Sequence, residues 1–144
     1  MNLAQFFQDK KLRLGIVKEE ELLPLSFAGD FHTWLTAGKP LTTTGSTLPL
    51  NQIKLAAPVN RPGKIIAIGL NYAEHAAEGK RDAPEQPLVF AKFPNSVIGP
   101  DEDITWSSKI TEKVDFEAEL AVVIGKKTSS CKIEEALSKV LGYT

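Results

Sequence analysis

Three carboxylates alternate with apolar residues in the stretch VDFEAELAVVIG (114–125), and no other stretch of the sequence carries as much potential chemistry. On a β-strand, Asp115, Glu117 and Glu119 would share one face, and Val114, Phe116, Ala118, Leu120, Val122 and Ile124 the other. Residues two apart on a strand sit roughly 6.5–7 Å from each other, a gap that Glu side chains can close onto one point. Like charges so placed repel unless water or a cation lies between them. Glu117 and Glu119 are therefore candidate oxygen ligands for a hard cation such as Mg²⁺, Mn²⁺ or Ca²⁺. The same face turns apolar at Ala121 and Val123, and partial cover makes an uncompensated carboxylate costly, which favours the ligand role. A half-exposed strand with a solvated acidic face is the alternative. Spacing alone leaves it open, because such faces are common in antiparallel sheets.

His75 supplies a second chemical candidate. In the stretch 71–78 it lies three residues before Glu78, so on a helix the two side chains are neighbours. A carboxylate beside an imidazole orients the ring and raises its basicity, as a general base requires. Alone, H-x-x-E is an unspecific motif, and Glu78 can instead pair with Arg81 on an ordinary solvated helix turn. Lys92 stands between Phe90 and Phe93 on a candidate strand, where it either meets a substrate carboxylate or forms the polar side of an amphipathic strand. His32, beside Phe31 and Trp34, reads as packing or surface, and Cys131 as non-catalytic.

The composition frames these candidates. The chain has 144 residues, 42% hydrophobic and 24% charged, a globular balance with room for one domain, or for a small lobe plus part of a larger one. Its 17 basic and 18 acidic side chains are spread along the chain, and no basic run is long enough to track a phosphate backbone, so nucleic acid is not expected as a partner. No stretch approaches the ~20 apolar residues of a membrane-spanning helix, and the first residues lack the apolar segment of a signal peptide. One cysteine forms no internal disulfide, and two histidines make no His-rich metal site. A cytoplasmic location is expected.

The elements that must position the candidates are short. Residues 1–58 read as strands broken by turns, among them LRLGIVK (12–18), with one or two helical turns over 31–37 capped by Asp30 and a loop over 38–46. A lobe boundary is expected near Pro58. Beyond it, KIIAI (64–68) reads as a buried strand, 73–81 as a helix ended by Gly79, and LVFAKF (88–93) as another strand closed by Pro94. A hairpin is expected around 101–109, a long strand over 114–125, and a helix over 132–142 stopped by Gly142. The residues alone predict mixed β structure with a few short helices, without the alternating pattern of a dinucleotide-binding sheet.

Four segments in this order, KIIAIGLNYAEHAAE, PLVFAK with FPNSVIGP after it, KVDFEAELAVVIGK and EEALSKVLGYT, resemble the fumarylacetoacetate hydrolase family over about residues 58–144. The preceding residues resemble the small variable domain of bacterial members. The resemblance implies an α+β, mostly β fold, with a small N-terminal β-rich lobe (1–58) and the first part of a mixed β-sandwich or roll catalytic domain (59–144). It implies a divalent cation, Mg²⁺ foremost with Mn²⁺ or Ca²⁺ open, held by Glu117 and Glu119. His75 with Glu78 falls on the catalytic pair through N-Y-x-x-H-x-x-E, and Tyr72 and Lys92 fall on substrate-pocket positions. Phe116 stands where the family commonly has Tyr. The implied activity is hydrolysis, isomerisation or decarboxylation of small keto- or enol-acids, dicarboxylates among them, by C–C cleavage or proton transfer in a homodimer.

In the family, G-Y-T is followed by N-D-V and by an R-D whose Asp is the third metal ligand. Here the sequence ends at Gly142-Tyr143-Thr144, so it is expected to be the front part of such an enzyme, with an incomplete site. Exposed sheet edges would then invite self-association. Two other readings stand beside the enzyme: a truncated, non-catalytic chain or a subunit needing a complementing piece, and a plain β-rich interaction domain with solvated carboxylates.

Overall fold

The computed structural model describes residues 1–80, 82 and 84–144. The chain divides into two compact units, Met1–Pro100 and Asp101–Thr144.

The first unit opens with an antiparallel sheet of five strands, β1 (Asn2–Gln8), β2 (Lys11–Lys18), β3 (Glu21–Pro24), β4 (Leu48–Pro49) and β5 (Lys54–Ala56), in the order β4-β3-β2-β1-β5. Asp9 and Lys10 both have positive φ, at 49° and 61°, between the paired residues Gln8 and Lys11. Two left-handed residues in a two-residue loop match the right-handed twist of the strands they join. The register aligns Phe6 with Arg13 and Val17 with Leu22, so alternation puts Phe6, Gly15 and Leu22 on one face. Gln5, opposite Leu14, belongs to the other face. Phe6, Leu14, Leu22 and Leu25 are fully buried, and they form the core with Phe31 and Ala57.

Helix α1 (Phe31–Ala37) begins where the sequence places it. The Asp30 carboxylate accepts hydrogen bonds from the Thr33 amide (2.8 Å) and the Thr33 hydroxyl (2.6 Å), satisfying a donor that the first helical turn leaves unpaired. Gly38 closes the helix in the left-handed conformation, φ 59°.

Later in this unit β6 (Ile65–Gly69) and β7 (Leu88–Lys92) form an antiparallel ribbon, with helix α2 (Ala73–Glu78) in the excursion between them and Gly79 at its C-terminus. The strands and the helix form at the places expected, but KIIAI is not buried: Ile66 is 61% exposed and Ile68 37%, because among the described residues β6 pairs with β7 alone. Pro94–Ser96 forms a 3₁₀ turn after β7. Arg81, the other partner considered for Glu78, lies outside the described residues.

The second unit departs from expectation in three places. Residues 101–109 hold no strand, so the hairpin expected there is absent; Ile110 donates to the Ser107 carbonyl (2.9 Å) in a turn instead. The long strand over 114–125 shrinks to β8 (Val122–Ile124). It pairs with β9 (Val140–Tyr143), and Ala121 and Thr144 exchange two backbone bonds, at 2.7 and 3.0 Å. A strand persists only as far as a neighbour satisfies its backbone, and among the described residues no strand pairs with 114–120. The helix over 132–142 also shortens, to α3 (Ile133–Ala136) and a 3₁₀ turn over Leu137–Lys139. Gly142 does not stop a helix. It pairs with Val123 inside β9, because the residues from Val140 onward bond to β8 instead of continuing the helix.

Among the described residues, no helix is long and apolar enough to cross a membrane.

Two outcomes test this account of the first unit. A Cβ on Gly15 would lie 2.2 Å from Leu22 Cδ2, inside a closed core. Gly15→Ala should therefore lower unfolding stability by about 1–3 kcal/mol in urea titrations. At Asp30, burial alone would raise the carboxyl pKa, but the Thr33 hydroxyl and amide and the Arg61 guanidinium outweigh it and hold it at about 2. A group depressed in the folded state stabilises above its ordinary pKa, and that stability is lost as pH falls through the folded value. Between pH 4 and 2 the protein should lose on the order of 1–2 kcal/mol more than Asp30→Asn does.

Candidate functional site

In the first unit the ends of β6 and the start of α2 set out the candidate residues. Gly69 ends β6, Leu70 turns with φ 52°, and Tyr72 enters α2 in an extended conformation, φ −102° and ψ 121°. His75 and Glu78 follow three residues apart on the helix, so they lie on the same side of it. Both are exposed, Tyr72 is half exposed, and Ala76 between them is the helix residue that buries, at 2%. Ala76 is thus the α2 side chain withdrawn from solvent, and the other residues of the helix are exposed.

Lys92 sits elsewhere on the ribbon. It pairs with Ile65, whereas Gly69, the end from which Tyr72 departs, pairs with Leu88. Four residues of strand separate the two ends, about 13 Å at the rise of an extended chain. Alternation puts Lys92 on the same ribbon face as Leu88 and Phe90, so it does not belong to a polar strand face.

In the second unit Glu117 and Glu119 are exposed and lie in a segment without regular secondary structure, upstream of β8. The strand geometry that would converge them is absent there, and Phe116, expected on an apolar core-facing side, is 87% exposed. The Asp115 carboxylate accepts a hydrogen bond from the Phe116 amide (2.9 Å). Carboxylate oxygens are the donors that a hard cation prefers, and in donor type the pair fits one. In number it does not complete a cation site: among the described residues no three His, Cys, Asp or Glu side chains come together.

His32 is exposed on α1, and the neighbouring Phe31 and Trp34 rings meet in a tilted contact, centroids 5.9 Å apart, so it takes the surface position expected of it. Cys131 is a free, exposed thiol.

Known proteins resemble this chain in both sequence and fold. Residues 64–144 match the family described as fumarylacetoacetate (FAA) hydrolase, C-terminal. A mitochondrial oxaloacetate tautomerase of Xenopus laevis is 42% identical over 109 residues, which is 76% of this chain and 34% of the relative. Among solved structures, a fumarylacetoacetate hydrolase from the psychrophile Exiguobacterium antarcticum superposes with a TM-score of 0.80 at 26% identity, covering 98% of this chain and 53% of that one. A maleylpyruvate hydrolase from Sphingobium, solved with manganese(II) and pyruvate, gives 0.71 at 28%, covering 99% and 56%. The chain belongs to the fumarylacetoacetate hydrolase family, with its α+β, mostly β fold. It spans about a third of the length of the curated relatives it matches and about half of the matched solved chains.

Every candidate site residue lies within the matched residues 64–144. If Ala76 is what seats α2, Ala76→Asp, which buries a charge without a partner, should cost on the order of 2–3 kcal/mol of stability. Exchange of the α2 amides should rise with it, whereas Ala77→Asp on the exposed side should leave both nearly unchanged.

Proposed function

We propose that this chain carries part of the active site of a divalent-cation-dependent enzyme acting on small keto- or enol-acids, by C–C cleavage or by proton transfer. One observation carries the proposal: the family match over 64–144 spans Tyr72, His75, Glu78, Lys92, Glu117 and Glu119, the residues that the resemblance assigns to the family's motifs. An oxaloacetate tautomerase among the relatives and a maleylpyruvate hydrolase holding manganese(II) and pyruvate among the solved structures support both the substrate class and the cation.

In this proposal Glu117 and Glu119 hold the cation. When bound, it would supply Lewis-acid stabilisation of negative charge on the substrate's oxygens. Mg²⁺ is the proposed native ion, with Mn²⁺ and Ca²⁺ as substitutes. His75 moves a proton through its imidazole, with Glu78 one helical turn on holding the ring in orientation. Tyr72 and Lys92 bind substrate, the Tyr hydroxyl through a hydrogen bond and the Lys ammonium through a carboxylate. The N-terminal lobe is proposed as residues 1–58 and the start of the catalytic domain as 59–144. A homodimer and a cytoplasmic location complete the proposal.

Turnover of oxaloacetate and of maleylpyruvate, measured with Mg²⁺ and with Mn²⁺, separates the roles. Made in the complete enzyme whose active site this chain contributes to, Glu117→Gln and Glu119→Gln should abolish cation-dependent turnover. His75→Asn should lower kcat by about 10²–10⁴-fold while leaving the cation requirement in place. Turnover that survives either Glu substitution unchanged would refute the ligand assignment.

A further inference from the structure

The strongest polar cluster of the first unit lies away from the candidate site, where the chain leaves the five-stranded sheet. Gln5, in the middle of β1, is 1% exposed. Its amide nitrogen donates to the Ala57 carbonyl (2.6 Å) and to Asn60 Oδ1 (3.1 Å), and its carbonyl oxygen accepts from the Phe31 amide at the start of α1 (2.6 Å). Asp30, also buried, caps that helix with Oδ1 and takes the Arg61 guanidinium on Oδ2. Gln5 therefore joins β1, the first turn of α1 and residues 57–60 of the connector between β5 and β6, and Asp30 joins that same first turn to Arg61 of the connector.

We propose that Gln5, Asp30 and Arg61 form a clamp that fixes the path of the connector 57–64 as it leaves the sheet toward β6, independently of the chemistry proposed above. The physical basis is the cost of an unpaired polar group in a closed site. Releasing the connector would leave both Gln5 N–H donors unsatisfied at a position water scarcely reaches, and would strip Asp30 of its cationic partner. Partial release gains nothing, so the connector lets go as a unit. On the connector side Arg61, directly before Pro62, and Asn60, the residue Gln5 holds, lie where the proline ring restricts the backbone further. The clamp therefore adds side-chain restraints to a segment of limited backbone freedom, and it sets where Ile65 begins β6.

Limited trypsin digestion of the whole 144-residue chain tests the clamp, because Lys64 is exposed at the end of the connector while Arg13 lies in the middle of β2. Gln5→Met and Arg61→Ala should each speed cleavage after Lys64 at least about tenfold, the effect of losing hydrogen bonds to buried or charged partners. Cleavage after Arg13 should stay within about twofold of the parent if the sheet itself is untouched. Equal acceleration at both positions would show that these side chains only stabilise the sheet, and an unchanged rate after Lys64 would show that they do not hold the connector. Either result overturns the proposal. The Arg61 side chain is 65% exposed, so Arg61→Ala decides the matter even if Gln5→Met does not fold.

Discussion

Side chains two apart on a pleated strand share a face only while a neighbouring ladder fixes the pleat, and in this chain the ladder determines what becomes of the acids. In the first unit every described strand has its partner: β1, β2 and β3 are each tied on both edges. Alternation there sets Phe6 and Leu22 on one buried face and Leu14 on the other. In the second unit the ladder between β8 and β9 reaches back as far as Ala121. Glu117 and Glu119 lie just beyond it. Carboxylates are donors that a hard cation prefers, but the backbone order that would aim both at one point is not imposed on them by a strand.

How far the sequence could be read follows the same constraint. The strands around LRLGIVK, KIIAI and LVFAK were legible because each finds its partner within the same unit, through a register that alternation alone can satisfy. Helix α1 was legible because its signal is local: Asp30 sits three residues before the amide it caps. The stretch 114–125 carries an equally clear alternation, but a strand's length is decided by the partner it finds, which the stretch itself does not contain. The helical spacing over 132–142 failed for a related reason, since Val140 and the residues after it contribute more as partners of β8 than as another helical turn.

The Gln5 cluster was illegible for a different reason. A glutamine on a strand ordinarily reads as a solvent-facing residue, and nothing near it in sequence announces partners 26 to 55 residues away. Such a residue becomes visible only when the fold closes over it and its amide must be satisfied. Asn60, held by Gln5, and Arg61, held by Asp30, stand just before the family match begins at residue 64.

The central claim is that Glu117 and Glu119, out of a chain with 18 acidic side chains, are the ones that hold the divalent cation. Substoichiometric Mn²⁺ added to the ¹³C-labelled protein tests it most directly, since the paramagnetic ion broadens the resonances of the groups nearest to it. Selective broadening of the Glu117 and Glu119 side-chain signals, reversed by excess Mg²⁺, is the result expected. Broadening spread evenly over other exposed acids such as Asp101, Asp103, Glu134 and Glu135, or broadening that spares both Glu117 and Glu119, would contradict the assignment.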